Sequence, residues 1–414
     1  MSKLLIKNIK ELVQVLAPDV KKLSGKEMSN LSTIKNAWLL IEDDKIKSFG
    51  NMESLGSDTD VTEVIDAEDK MVFPSWCDSH THIVFAKTRE EEFVDRINGL
   101  TYQEIAAKGG GILNSAKKLQ NSTEDELYTD ALKRIKEIQL TGTGAVEIKS
   151  GYGLTLEAEL KMLRVIKRLK EECDITIKAN FLGAHAIPAE YKENRRGYID
   201  LIINEMLPII KEEKLADFID TFCETNYYTP EETNEILEAG SKMGLIPKIH
   251  VNQFTSIGGI QAGIKHKALS VDHLEIMTEQ DISDLSKSDV MPTLLPSCSF
   301  FLNIPYAPAR ELISKGLPVA LATDFNPGST PSGNMCFVLS LACINMKLTP
   351  EQAVNASTIN AAYAMGLEKT HGSITVGKKA NIFITKEINS VAHIPYYFGH
   401  NQIDQILING KIVN

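Results

Sequence analysis

The stretch MVFPSWCDSHTH (residues 71–82) decides how this chain is read, because an apolar run there ends on two imidazoles, His80 and His82. Residues i and i+2 of a strand point to one side, roughly 6.6 Å apart. Two imidazoles so placed can lean onto a single ion at Zn–N distances of about 2.0 to 2.1 Å. The stretch therefore predicts a buried strand with one jaw of a metal site at its end.

Seven further apolar runs alternate with amphipathic helical stretches between residues 71 and 365: GAVEIKSG, ITIKANFLGAH, DFIDTFCE, IPKIHVN, ALSVDHLE, DVMPTLLP and PVALATDF. With the first run they make eight, the number a (β/α)8 barrel needs; a doubly wound sheet is the competing topology. The intervening helices carry their own punctuation. STEDELYTDALKRIKEIQLTG opens with Thr123 and Glu126 at capping-box spacing, sets Leu127, Ala131, Ile135 and Ile138 on one face, and stops at Gly142. TPEETNEILEAGSKMG has Thr229 as N-cap, Pro230 at the first helical position and Gly244 beyond the end.

Both ends of the chain read as short strands. KLLIKNI, AWLLIEDDKIKSFG with a turn at Asp43 and Asp44, and TEVIDAEDKMVFPSW open it; GSITVGKKANIFITKE and QIDQILINGKIVN close it. The fold class expected is α/β: a (β/α)8 TIM-like barrel over residues 71–365, with a small β-sandwich domain built from residues 1–70 and 366–414.

The polar residues of the strand runs fall where each strand finishes. His80 and His82 end the first, His185 the third, His250 the fifth, His273 the sixth and Asp324 the eighth. In a barrel those ends open on one face, where active sites of this architecture lie. A lone histidine at a strand end is ordinarily a hydrogen-bonded core residue. Five of the nine histidines at strand ends, together with ATDF on the eighth strand, point instead to metal. The expected ligands are His80, His82, His250 and Asp324; His266, His371, His393 and His400 fall in loops or the terminal domain and receive no such role. Three histidines and a carboxylate without a thiolate suit Zn2+ or iron (Fe2+/Fe3+), one per subunit. Such an ion lowers the pKa of a bound water from about 15.7 to about 7, so the chemistry implied is hydrolysis.

Composition narrows the partners. The 414 residues are 43% hydrophobic and 24% charged, with no low-complexity tract, as in an ordinary soluble globular protein. Lys and Arg number 44 against 55 Asp and Glu, a net charge of −11, and the bases are scattered, so no nucleic acid partner is expected. An anionic substrate would need a local cation, and Arg89 beside the histidine pair is the candidate. The opening MSKLLIKNIKELVQVLA breaks its apolar residues with Lys and Glu and has no signal-peptide core, and MPTLLPSCSFFLNIPYAPA (291–309) holds four prolines. A cytoplasmic protein with no membrane partner is expected. Cys77, Cys173, Cys223, Cys298, Cys336 and Cys343 form no CxxC pair, which predicts neither disulfides nor a cysteine zinc site. The triple glycine Gly109–Gly111 lacks the Lys-Ser/Thr of a phosphate cradle and reads as a loop near the site.

DSHTH, HVNQ, SVDHLE and ATDFNPGS, in this order and spacing, resemble the amidohydrolase superfamily in its mononuclear-metal form. Within it, VFAKTREEEF, GLTYQEIAAKGGGI, EIKSGYGL, FLGAHAIPAEY and LATDFNPGSTP are similar to the branch that acts in histidine degradation, and the match spans essentially the whole chain. The resemblance implies hydrolysis of the cyclic amide C–N bond of 4-imidazolone-5-propanoate to N-formimidoyl-L-glutamate, by a homodimer. Residue by residue, it implies that Asp324, besides binding metal, takes a proton from the water and passes it to the departing ring nitrogen. His273 would hydrogen-bond the water or the developing oxyanion. His185 and Tyr152 would bind the ring, and Arg89 the propanoate carboxylate, with Tyr102 a weaker candidate for that carboxylate. Asn326, Gly328 and Ser329 would contact substrate and product through side chains and backbone N–H groups. Gln253 stands where relatives carry Glu or Gln; an amide orients a ring but carries no proton. Two other readings use the same residues: a deaminase of an aminated heterocycle, and a metal-free scaffold that keeps the barrel.

Overall fold

A computed structural model describes residues 2–56, 61–101, 104–105 and 108–413. Tyr102 lies outside the described residues.

The terminal segments pair into one mixed sheet. From the start of the chain come β1 (Lys3–Val13), β2 (Thr33–Glu42), β3 (Lys45–Asn51), β4 (Glu63–Asp66) and β5 (Lys70–Pro74). The expected turn joins β2 to β3, with Glu42 opposite Lys45 and Asp43 at φ +55°, a conformation Asp tolerates better than most residues. From the end of the chain come β14 (Ile382–Glu387), β15 (Ile403–Ile408) and β16 (Lys411–Ile412). The order is β16-β15-β14-β5-β1-β2-β3, with β4 beside β1, so the antiparallel β5–β14 pair joins the two ends of the chain. Ile6, Ile9, Leu39, Ile41, Val72, Ile382, Ile384 and Leu407 fill a core of their own there.

The barrel strands are β6 (Trp76–Thr81), β7 (Thr143–Lys149), β8 (Thr176–Ala184), β9 (Phe218–Cys223), β10 (Ile246–Val251), β11 (Ser270–His273), β12 (Met291–Leu294) and β13 (Ala320–Leu321). Each coincides with one of the eight expected runs, β7 starting one residue before its run, at Thr143. Their order around the sheet follows the chain, and every pair is parallel. The ring shuts where Thr81 bridges Phe325: Asp324 N–H donates to the His80 carbonyl at 3.0 Å, and His82 N–H to the Phe325 carbonyl at 2.8 Å. Thr323, whose N–H and hydroxyl bind Asp78 at 3.0 and 2.6 Å, bolts the same seam. Closure therefore sets His80, His82 and Asp324 side by side.

Helix Glu124–Gln139 begins at a complete Thr123/Glu126 capping box and buries Leu127, Ala131, Ile135 and Ile138. Gly142 follows at φ +90°, a conformation that favours glycine. Helix Pro230–Lys242 has a capping box from Thr229 and Glu232. All six cysteines are free thiols. Among the described residues no helix is long and apolar enough to cross a membrane.

Candidate active site

Three strand-end imidazoles meet at the C-terminal mouth of the barrel. The candidate ligand atoms of His80, His82 and His250 lie within 4.8 Å of one another, and all three residues are buried. Asp324 Oδ1 stands 3.5 Å from His80 Nε2 and 3.6 Å from His82 Nε2. Asp324 and His273 both have positive φ, +58° and +89°, a strained backbone for non-glycine residues that clusters at functional sites.

Beneath the imidazoles is a layer that the sequence reading missed. Asp272 Oδ2 lies 2.7 Å from His80 Nδ1, and Asp220 Oδ1 3.1 Å from His250 Nδ1. Each carboxylate fixes its imidazole as a donor at Nδ1 and leaves the Nε2 lone pair facing inward. Both Nε2 atoms are enclosed and accept no hydrogen bond, a costly state for polar atoms. Burial, then Lys149 and the neighbouring imidazoles, holds the His80 pKa well below its ordinary value. Burial, then His185 and His250, does the same to His82. Neutral imidazoles with orphaned lone pairs beside a carboxylate are the donor set a divalent cation takes, and the residues present fit one. Lys149 and Lys248 complete the layer with Glu147, all wholly enclosed. The signal was present in the sequence, as charged residues inside apolar runs such as EIKSG and DFIDTFCE.

Above the imidazoles a cavity is lined by His82, Arg89, Tyr152, His185, His250, Gln253, His273, Asp324, Asn326 and Ser329, with Phe222 and Ile112 as its apolar walls. His80 and Gly328 are not among its lining residues. His185 stacks on His82 with ring centroids 5.3 Å apart, and Tyr152 lies 5.3 Å from His185. Burial, reinforced by His250, lowers the His185 pKa to about 3, while its Nδ1 sits 3.0 Å from the Gly151 carbonyl. A neutral His185 donating from Nδ1 therefore presents Nε2 as an acceptor. His273 differs. Burial opposes its imidazolium, yet Glu275, whose Oε1 lies 3.4 Å from Nδ1, together with Asp324 and Asp272, raises its pKa. Burial raises the Asp324 pKa, against the pull of His273 and His250. Gln253 donates to Cys298 Sγ at 3.3 Å, so a thiol, unexpected from the sequence, borders the site.

The loop after β13 is tied by its own hydrogen bonds. The N–H groups of Gly328 and Ser329 both donate to Asn326 Oδ1, at 2.8 Å each, and Arg96 binds the Gly328 carbonyl at 3.1 Å. Those hydrogen bonds hold the loop's own shape beside Asp324. Gly328 has a different importance: a Cβ there would sit 1.3 Å from Arg89 Nη2, so only glycine lets the guanidinium lie where it does. The triple glycine is tied as well, since Gly111 N–H donates to Glu92, which also pairs with Arg89 Nη1 at 3.6 Å.

The amidohydrolase family model matches residues 71–413, and the chain belongs to that family. In fold it is similar to a triazine hydrolase variant (TM-score 0.76, 16% identity, covering 99% of this chain and 94% of that one). It is also similar to an adenosine deaminase from Xanthomonas campestris with bound zinc (TM-score 0.69, 14% identity, 99% and 92%). Within the family it belongs with the imidazolonepropionases. That from Flavobacterium johnsoniae is 63% identical over 99% of both chains, and that from Christiangramia forsetii 60% identical over 99% of this chain and 100% of the other.

Proposed function

We propose that this hydrolase opens 4-imidazolone-5-propanoate to N-formimidoyl-L-glutamate, cutting the bond between the ring carbonyl carbon and its neighbouring nitrogen. The observation that carries the reading is a three-imidazole, one-carboxylate cluster, with the Nε2 atoms of His80 and His250 orphaned, beside a cavity that a buried arginine also lines. His80, His82, His250 and Asp324 would hold one Zn2+ or iron ion, which supplies Lewis acidity and lowers the pKa of water. Asp324, its carboxylate steadied by Ser329 Oγ at 3.2 Å, takes the proton released as water adds to the ring carbonyl. It then delivers that proton to the departing ring nitrogen. His273, whose pKa Glu275 raises against the effect of burial, donates to the oxygen on which charge develops. Arg89 pairs with the propanoate carboxylate, the local cation a chain of net charge −11 needs for an anion. Tyr152 and His185 hold the ring, Gln253 orients it, and Asn326 fixes the loop behind Asp324.

The same reading makes the protein a homodimer in the cytoplasm, acting on a small molecule without nucleic acid or membrane. Assay of the metal-loaded protein on imidazolonepropanoate and on a panel of aminopurines and aminopyrimidines tests the reaction. Turnover of the cyclic amide, abolished by a chelator and restored by Zn2+ or Fe2+, is expected. Turnover of the panel alone would make the protein a deaminase, and no turnover by metal-loaded protein would favour the scaffold.

A further inference from the structure

We propose that Lys149 is a positioning residue of the metal centre: one buried ammonium that, through Asp272 and Asp220, clamps His80 and His250 as a single unit. The proposal rests on reading those histidines as ligands. Lys149 ends β7 and is wholly enclosed. Its Nζ lies 2.8 Å from Asp220 Oδ2, 3.5 Å from Asp272 Oδ2 and 2.6 Å from Glu147 Oε1. Asp220 turns its other oxygen, Oδ1, to His250 Nδ1, and Asp272 turns Oδ2 to His80 Nδ1. Two chains of contacts, each running from ammonium to carboxylate to imidazole to an orphaned Nε2, therefore start from one atom.

The geometry separates this role from simple charge balance. Without the ammonium, two carboxylates at the centre of the barrel would repel, and each could turn its imidazole away from the cluster. Carboxylates that grip metal-bound imidazoles are worth about 10- to 100-fold in metal affinity in other proteins. Here both pair with the same ammonium, while Ser270 also holds Asp272 and Asn180 also holds Asp220.

Lys248 supplies the internal control. It is equally enclosed and pairs with Glu147, but its other hydrogen bonds go to the carbonyls of Ser79 at 3.0 Å and Ala364 at 3.2 Å. It stays 3.9 Å from Asp272. If the layer serves only to stabilise the barrel, removing either charge should have the same effect.

The test compares Lys149→Met with Lys248→Met in Zn2+-loaded full-length protein. Release of zinc to a chelator should be about 10- to 100-fold faster in K149M and within about twofold of wild type in K248M. In protein labelled with 15N-histidine, the Nδ1–H signals of both His80 and His250 should move in K149M and stay in K248M. Equal zinc release from the two variants, wild-type retention in K149M, or movement of only one histidine signal would overturn the clamp. Should K149M fail to fold, D220N and D272N measured singly and together decide: a clamp predicts that the double variant loses zinc more slowly than the product of the single effects, because both carboxylates hang from one ammonium. Independent, multiplicative losses would overturn it. These readouts need no substrate, so a failed assay on imidazolonepropanoate leaves them standing. A wild type that takes up no zinc would remove the ligand assignment and the clamp together.

Discussion

Asp324 is held by its neighbours more than by its own strand. Its backbone has positive φ, Ser329 Oγ donates to its carboxylate, and Asn326 Nδ2 donates to its carbonyl at 2.7 Å. Asp324→Asn keeps the shape and removes proton transfer, so kcat should fall by about 100- to 10,000-fold. Arg89→Ala should chiefly raise KM, lowering kcat/KM by about 10- to 100-fold, the worth of a charged hydrogen bond. Steady-state kinetics of the two variants check both; equal loss of kcat with unchanged KM would contradict the division of roles. Gly328→Ala offers a sharper test, because the three atoms nearest an added Cβ all belong to the Arg89 guanidinium. It should raise KM as Arg89→Ala does and leave kcat near wild type. The histidine pair was legible in the sequence because i and i+2 on a strand must share a side. Gly328 was legible as a loop glycine but not in its task, since the guanidinium that excludes a Cβ belongs to a residue more than two hundred positions away.

The helices and strands were the most readable features. Apolar runs bounded by turn residues mark all eight barrel strands, and Thr123 with Glu126 marks the start of a helix whose capping box then forms. Thr123→Ala should cost about 1 kcal/mol of stability, read by denaturant unfolding, with KM unchanged. His371, set aside as unremarkable, ties the terminal segment to the barrel: its Nε2 lies 3.0 Å from Thr176 Oγ1 at the start of β8. Burial lowers its pKa to about 4. The folded state therefore resists protonation while the unfolded chain accepts a proton near pH 6.5. Stability from this residue is complete above pH 6.5 and is lost as pH falls toward 4, by on the order of 3 kcal/mol. Unfolding free energies of wild type and His371→Asn between pH 7 and 4 should show a steeper decline in wild type; parallel curves would remove His371 as the cause.

What brings the site together is the closure of the barrel, which sets residues from β6, β10 and the end of β13 on one rim. That much follows from counting parallel strands, because all their C-terminal ends share a face. The layer beneath does not. Asp272 on β11 reaches His80 on β6 across the lumen, between strands that are not paired. Alternation along one strand shows that a charged residue points inward, but not which side chain it meets across the interior. The central claim is that groups distant in the chain converge on one divalent cation. Anomalous diffraction at the metal edge, on crystals of metal-loaded protein, measures this directly. One peak per chain, bounded by His80, His82, His250 and Asp324, is the predicted result; a peak elsewhere, or none among those four side chains, would contradict it.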